Sequence, residues 1–193
     1  MVLALATVGT AWSAYQARQW TGEQSQGYSH ATKDRLAENR TAALASRQVQ
    51  IDVATFIQWV DARAQHQPAL ADFYRRRFRA EFKPAFAAWL ATDPFRNRQA
   101  PATPFALPHY RLQASDQADR LEATAAAASQ SAKDANEHAD NYMLAVVLFA
   151  TALFFGGISA KLETRGARIV TLGLGCAVFL ATAAWVATLP VHV

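Results

Sequence analysis

Nine positions fix most of what this chain can become: Ala114, Ala118, Leu121, Ala125, Ala128, Ala132, Ala135, Ala139 and Tyr142. Their strict 4-3-4-3 spacing is the seam of a helix packed along a partner helix. Residues 111–155 contain no proline or glycine, and the apolar run 142–160 follows the seam directly. The pattern predicts one long helix that leaves a bilayer and keeps going.

Charge segregation supports a membrane reading that the near-neutral mean hydropathy of −0.03 conceals. Residues 1–16, 141–160 and 169–193 carry no Lys, Arg, Asp or Glu, whereas 30 of the 34 such residues lie in 18–140. A hydrocarbon core of about 30 Å needs roughly 20 apolar residues as helix. Segments 142–160 and 169–189 reach that length, and 1–17 comes close. The first segment reads as an uncleaved signal anchor, because it lacks a basic stretch and a good small-residue cleavage site. Trp12, Tyr15 and Trp20 then fall near an interface.

The predicted fold class is therefore an all-α membrane protein. Three transmembrane helices (1–17, 142–160, 169–189) join a long antiparallel helical hairpin at 18–141, capped by short helices outside the bilayer. Lys161, Arg165 and Arg168 make the loop 161–168 a positive cluster expected to stay cytoplasmic, which places 18–141 in the periplasm of a bacterial inner membrane. Gly156, Gly157, Gly173 and Gly175 suit close packing between spans. The single cysteine, Cys176, lies in the third span and reads as a small packing residue, so disulfides are excluded.

In the extramembrane region Gly22 and Gly27 interrupt the pattern, and helix is expected from Tyr28 to about Ala64. A heptad through Ser25, Ser29, Thr32, Leu36, Asn39, Ala43, Ser46, Gln50, Val53, Ile57 and Val60 supplies the surface facing the alanine seam. At 1.5 Å per residue, 21–65 extends about 65 Å and 111–140 about 45 Å. The first helix overshoots, and residues 66–110 must cover the excess. Pro68 and Pro84 suit the first turns of two short helices. Pro94, Pro101, Pro104 and Pro108 mark an extended strap. Together these segments are expected to form a cap, closing an aromatic core around Ile51, Phe56, Ile57 and Trp59.

The cap concentrates the chemistry. Between Arg63 and Arg111 there are nine basic and three acidic residues. The candidate partner-binding residues are Arg75, Arg76, Arg77, Arg79 and Lys83, with Arg96 and Arg98 nearby. The run reads either as a surface for an anionic envelope polymer or acidic protein, or as a solvated cap whose arginine stems cover aromatic rings. A periplasmic position argues against nucleic acid. His30, His66, His109, His138 and His192 lack ligand spacing, so no metal or other cofactor is expected. Glu137 and His138 sit just above the second span, where Glu23 could approach to form a conceivable proton-responsive cluster, but a plain polar helix face is the favoured reading. No charged residue interrupts a span, and no nucleophile elbow, phosphate loop or metal motif occurs, which argues against a transporter or an enzyme.

Two stretches carry a resemblance. Ala11-Trp12-Ser13-Ala14-Tyr15-Gln16-Ala17-Arg18-Gln19-Trp20 is the first. Phe82-Lys83-Pro84-Ala85-Phe86, running on to Trp89-Leu90-Ala91-Thr92-Asp93-Pro94-Phe95, is the second. With the order of spans, they resemble a family of bacterial inner-membrane proteins that has no assigned activity and shares the Ala-Trp-Ser-x-Tyr-Gln-Ala first-span motif. The resemblance covers the whole chain and implies no catalytic residue. The functional expectation is an interaction or scaffold protein, self-associating or serving as an accessory subunit of another membrane protein. Two alternatives stand beside it, a periplasmic ligand sensor that signals through a separate partner and a small channel component.

Overall fold

Proline is absent from the sequence before Pro68, so nothing removes a backbone donor from the first helix. The computed structural model describes residues 2–192, and residue 1 of the expected 1–17 span lies outside them. Helix α1 occupies Val2–Ala64, α2 Pro68–Arg77, α3 Lys83–Leu90, α4 Gln113–Ser159 and α5 Arg165–Val186, with a 3₁₀ turn at Pro104–Ala106. No strand occurs among the described residues. Helices α4 and α5 are each long and apolar enough to cross a membrane, whereas α1 falls below that hydropathy.

Helix α1 runs unbroken through Gly22 and Gly27, where an interruption between the 1–17 span and the helix from Tyr28 was expected. A helical glycine costs only about 1 kcal/mol relative to alanine, which helical neighbours on both sides outweigh. The helix ends in a Schellman closure: His66 N–H donates to Arg63 O at 3.1 Å and Gln67 N–H to Ala62 O at 2.9 Å. His66 takes the left-handed position, with φ of 59°. Pro68 then opens α2, and Pro84 lies in the first turn of α3, where a missing N–H goes unnoticed.

The chain divides into two compact units, Met1–Thr32 with Ala126–Val193, and Lys33–Ala125. In the first unit α1 and α4 run antiparallel. A Cβ on Gly27 would lie 2.9 Å from that of Ala132, one on Gly9 would meet the Phe149 ring, and one on Gly156 would meet Leu3. Gln24 Nε2 donates to Asn136 Oδ1 at 2.7 Å between the same helices. Helix α5 packs on α4 through Gly175, against Phe155 and Ala152, and through Phe179 at 5.7 Å from Phe149. Gly157 and Gly173, expected at such contacts, face open space instead. The seam keeps its register beyond Tyr142, burying Ala145, Phe149 and Ala152.

In the second unit Phe56, Trp59, Ala62, Ala71, Phe78, Phe82, Phe86 and Trp89 form the buried core. Phe56 meets Trp89 edge-on at 5.3 Å, and Phe82 stacks on Phe105 at 5.1 Å. Burying one such ring contributes about 2–3 kcal/mol, and a well-placed ring pair about 1 kcal/mol more. The proline-rich strap is tied to this core by Trp89 Nε1, which donates to Pro101 O at 2.7 Å.

The α1 surface differs from the expected heptad by one residue. Inward-facing Gln24, Ala31, Glu38, Ala42, Ala45, Val49, Asp52, Phe56 and Trp59 each lie immediately before the expected position, whereas Gly27 and Asp34 lie two before it. Ile51 and Ile57, expected in the core, are 52% and 50% exposed. One residue is a rotation of about 100°. Phe56 and Trp59 carry more apolar surface than Ile57 and Val60, and this rotation buries them. It also buries Asp52 completely, and the cap supplies partners for one of its two carboxylate oxygens.

Candidate functional site

The three arginines closing α2 sit where a helix C-terminus favours cations. One turn back, Asp72 Oδ1 accepts from Arg75 Nη2 at 2.8 Å, and its Oδ2 pairs with Arg76. The Arg75 hydrogen bond, with the charge of Arg76 beside it, holds the Asp72 carboxyl below its ordinary range. Arg77 lies 3.6 Å over the Phe73 ring. The backbone then leaves the helix at Phe78, with ψ of 140°, and Phe78 enters the core.

That turn carries Arg79 inward. Its Nη1 donates to Asp52 Oδ2 at 2.8 Å, and its Nη2 pairs with Glu81. Tyr110 donates its hydroxyl to the same Asp52 oxygen at 3.0 Å, while Asp52 Oδ1 is buried without a partner. Glu81 Oε1 accepts from the backbone N–H of Gln113, the first residue of α4, at 3.1 Å. One carboxylate thus caps a helix whose free N–H groups favour negative charge. Burial pushes the Asp52 carboxyl above its ordinary range, although Tyr110 and Arg79 both favour the ionised form. Burial also raises the Tyr110 hydroxyl, with Asp52 adding to the effect.

The five residues singled out in the sequence therefore separate. Arg75, Arg76 and Lys83 share the walls of a groove of about 310 Å³ with Phe78, Phe86, Ala87 and Leu90. Arg77 is spent on Phe73, and Arg79 belongs to the internal network. The sequence did not mark Asp52, Glu81 and Tyr110. Asp52 does fall at the expected spacing from Phe56 and Trp59, and that regularity was the available signal.

A second cluster lies in the other unit. Trp20 has His138 on one side, with ring centroids 4.6 Å apart, and His192 on the other at 5.0 Å. Gln16, fully buried, accepts from His192 N–H at 2.9 Å and donates to His192 O at 3.2 Å. Tyr142 donates to Pro190 O at 3.1 Å, so two side chains dock the tail. Glu23, expected near His138, lies instead 3.7 Å from His192 Nε2. Among the described residues no three His, Cys, Asp or Glu side chains are grouped to hold a metal ion.

Comparison with protein-family models, with curated proteins and with solved structures finds no match to this chain.

Proposed function

We propose that this chain is a membrane-anchored interaction or scaffold protein whose cap docks an acidic protein partner in the periplasm of a bacterial cell. The observation that carries the reading is the groove itself. Arg75, Arg76 and Lys83 stand at its edges, and its floor is apolar, so an acidic segment with an apolar residue would find both partners together. The proposed anchor has three spans, in keeping with the resemblance of the first-span motif to a family of bacterial inner-membrane proteins. Large apolar side chains left exposed on three helices support it: Leu5, Val8 and Trp12 on α1, Met143, Val147 and Phe154 on α4, and Ile169, Val170 and Leu180 on α5. With 161–168 cytoplasmic, α1 and α4 form the hairpin that presents the cap outside. Accessory-subunit and self-associating forms both fit this role.

The test is a pull-down from membranes with the full chain against an Arg75→Ser, Arg76→Ser, Lys83→Ser variant. Arg79 is left intact because its loss would unsettle the cap. Loss of an acidic co-purifying protein from the variant, with the wild-type complex weakening as salt rises, is the expected result. Identical partner sets would contradict the reading.

A further inference from the structure

A second groove, with walls of its own, lies where α1 ends. It encloses about 560 Å³ between Val60, Arg63, Ala64, His66, Pro68 and Phe95. That volume falls within the range of small-molecule sites. Its walls supply apolar area and positive charge, and no acidic side chain lines it.

Arg63 is the guanidinium that lines this groove. Like Arg77, Arg96, Arg98 and Arg111 of the same unit, it has no ion-pair partner among the described residues. Its guanidinium instead stands 6.0 Å from the Trp59 ring centroid, which orients it and leaves its donors unspent. The facing wall is Phe95, a ring left 57% exposed although it lies only 6.2 Å from Trp59.

Both walls are set by unfavourable backbone. Among the described residues only His66 and Asp93 are non-glycine residues with positive φ, at 59° and 51°. His66 lines the groove. Asp93 opens the turn that carries Phe95, its carbonyl accepting from Arg96 N–H at 3.0 Å and Asn97 N–H at 2.8 Å. The His66 conformation belongs to the Schellman end of α1, and each of the two turns sets the course of the chain beside the groove.

We infer that this groove binds a small carboxylate with a flat apolar body, the carboxylate on Arg63 and His66 and the body against Phe95, Val60 and Pro68. A bidentate guanidinium contact fixes the anion, and the apolar walls exclude a fully hydrated ion such as sulfate. The site is independent of the docking groove and would give the chain a soluble ligand as well as a protein partner.

The probe is 4-fluorobenzoate, followed by fluorine NMR with the full chain in lipid nanodiscs, with empty nanodiscs to subtract partitioning. Saturable binding is expected, weakened about tenfold by Arg63→Gln and by replacing the carboxylate with the amide of 4-fluorobenzamide. Phe95→Ser should weaken it too, and Lys83→Ser should leave it unchanged. Both Arg63 and Phe95 are exposed, so an unaltered circular dichroism spectrum is expected of each variant. Absence of saturable binding by the wild type, or equal affinity in Arg63→Gln, would overturn the inference.

Discussion

Arg79 reaches from the turn after α2 to a fully buried Asp52 on α1, and the 2.8 Å contact between them joins the two elements. Through Glu81 the same guanidinium is linked to the first N–H of α4. The cap is thus held by an ionic relay as well as by its aromatic core. Removing one partner of a buried pair leaves an uncompensated charge, which costs more than the pair contributes.

Arg79→Leu is therefore expected to destabilise the second unit by about 3–5 kcal/mol at neutral pH. The pH dependence has a definite sign. Because the Asp52 carboxyl is raised in the folded chain, the folded state holds its proton more readily than the unfolded state. On this group's account stability falls as pH rises from its ordinary value of 3.8 through the raised one. Acidification should thus recover part of the Arg79→Leu loss by neutralising Asp52. Asp52→Asn should lose the acidic gain, because no carboxyl remains there to take up a proton. Thermal unfolding followed by tryptophan fluorescence across pH 4.5–8 checks all three outcomes.

Two glycines of α1 predict opposite effects. A Cβ at Gly22 would meet nothing within 4 Å, so Gly22→Ala should stabilise by up to about 1 kcal/mol through helix propensity. A Cβ at Gly27 would lie 2.9 Å from the Ala132 Cβ and 3.2 Å from its Cα, which no rotamer change relieves. Gly27→Ala should destabilise by about 1–3 kcal/mol. Unfolding midpoints of the two variants by circular dichroism would show the opposite signs.

Asp72 restrains two of the three groove cations. Asp72→Asn frees Arg75 and Arg76 and, by removing one negative charge beside the groove, raises the local net charge by one. Affinity for an acidic peptide should rise about threefold at low ionic strength, and the salt dependence should steepen. Calorimetric titration at two salt concentrations measures both.

The long helices, the proline-opened short helices and the aromatic character of the cap were legible, because spacing and local backbone chemistry determine them. The alanine seam was read in its true register, since alanine offers little to bury on any other face. The register of α1 was not. Its inward face includes a carboxylate whose partners, Arg79 and Tyr110, lie 27 and 58 residues away in sequence. No periodicity reports such a partnership, and Ile57 and Val60 made the neighbouring face look apolar. Of the candidate binding residues, Arg75, Arg76 and Lys83 come together because α2 ends and α3 begins beside one groove. Arg79 looked like part of the same run, yet a single non-helical turn at Phe78 sends it to the interior.

The proposed membrane anchor would present the basic cap on the outer side. Alkaline phosphatase, active only outside the inner membrane, tests this most directly when inserted near residue 99 and, separately, fused within 161–168. Activity is expected at the first position and none at the second. Activity at 161–168 with none near residue 99 would contradict it and place the cap in the cytoplasm.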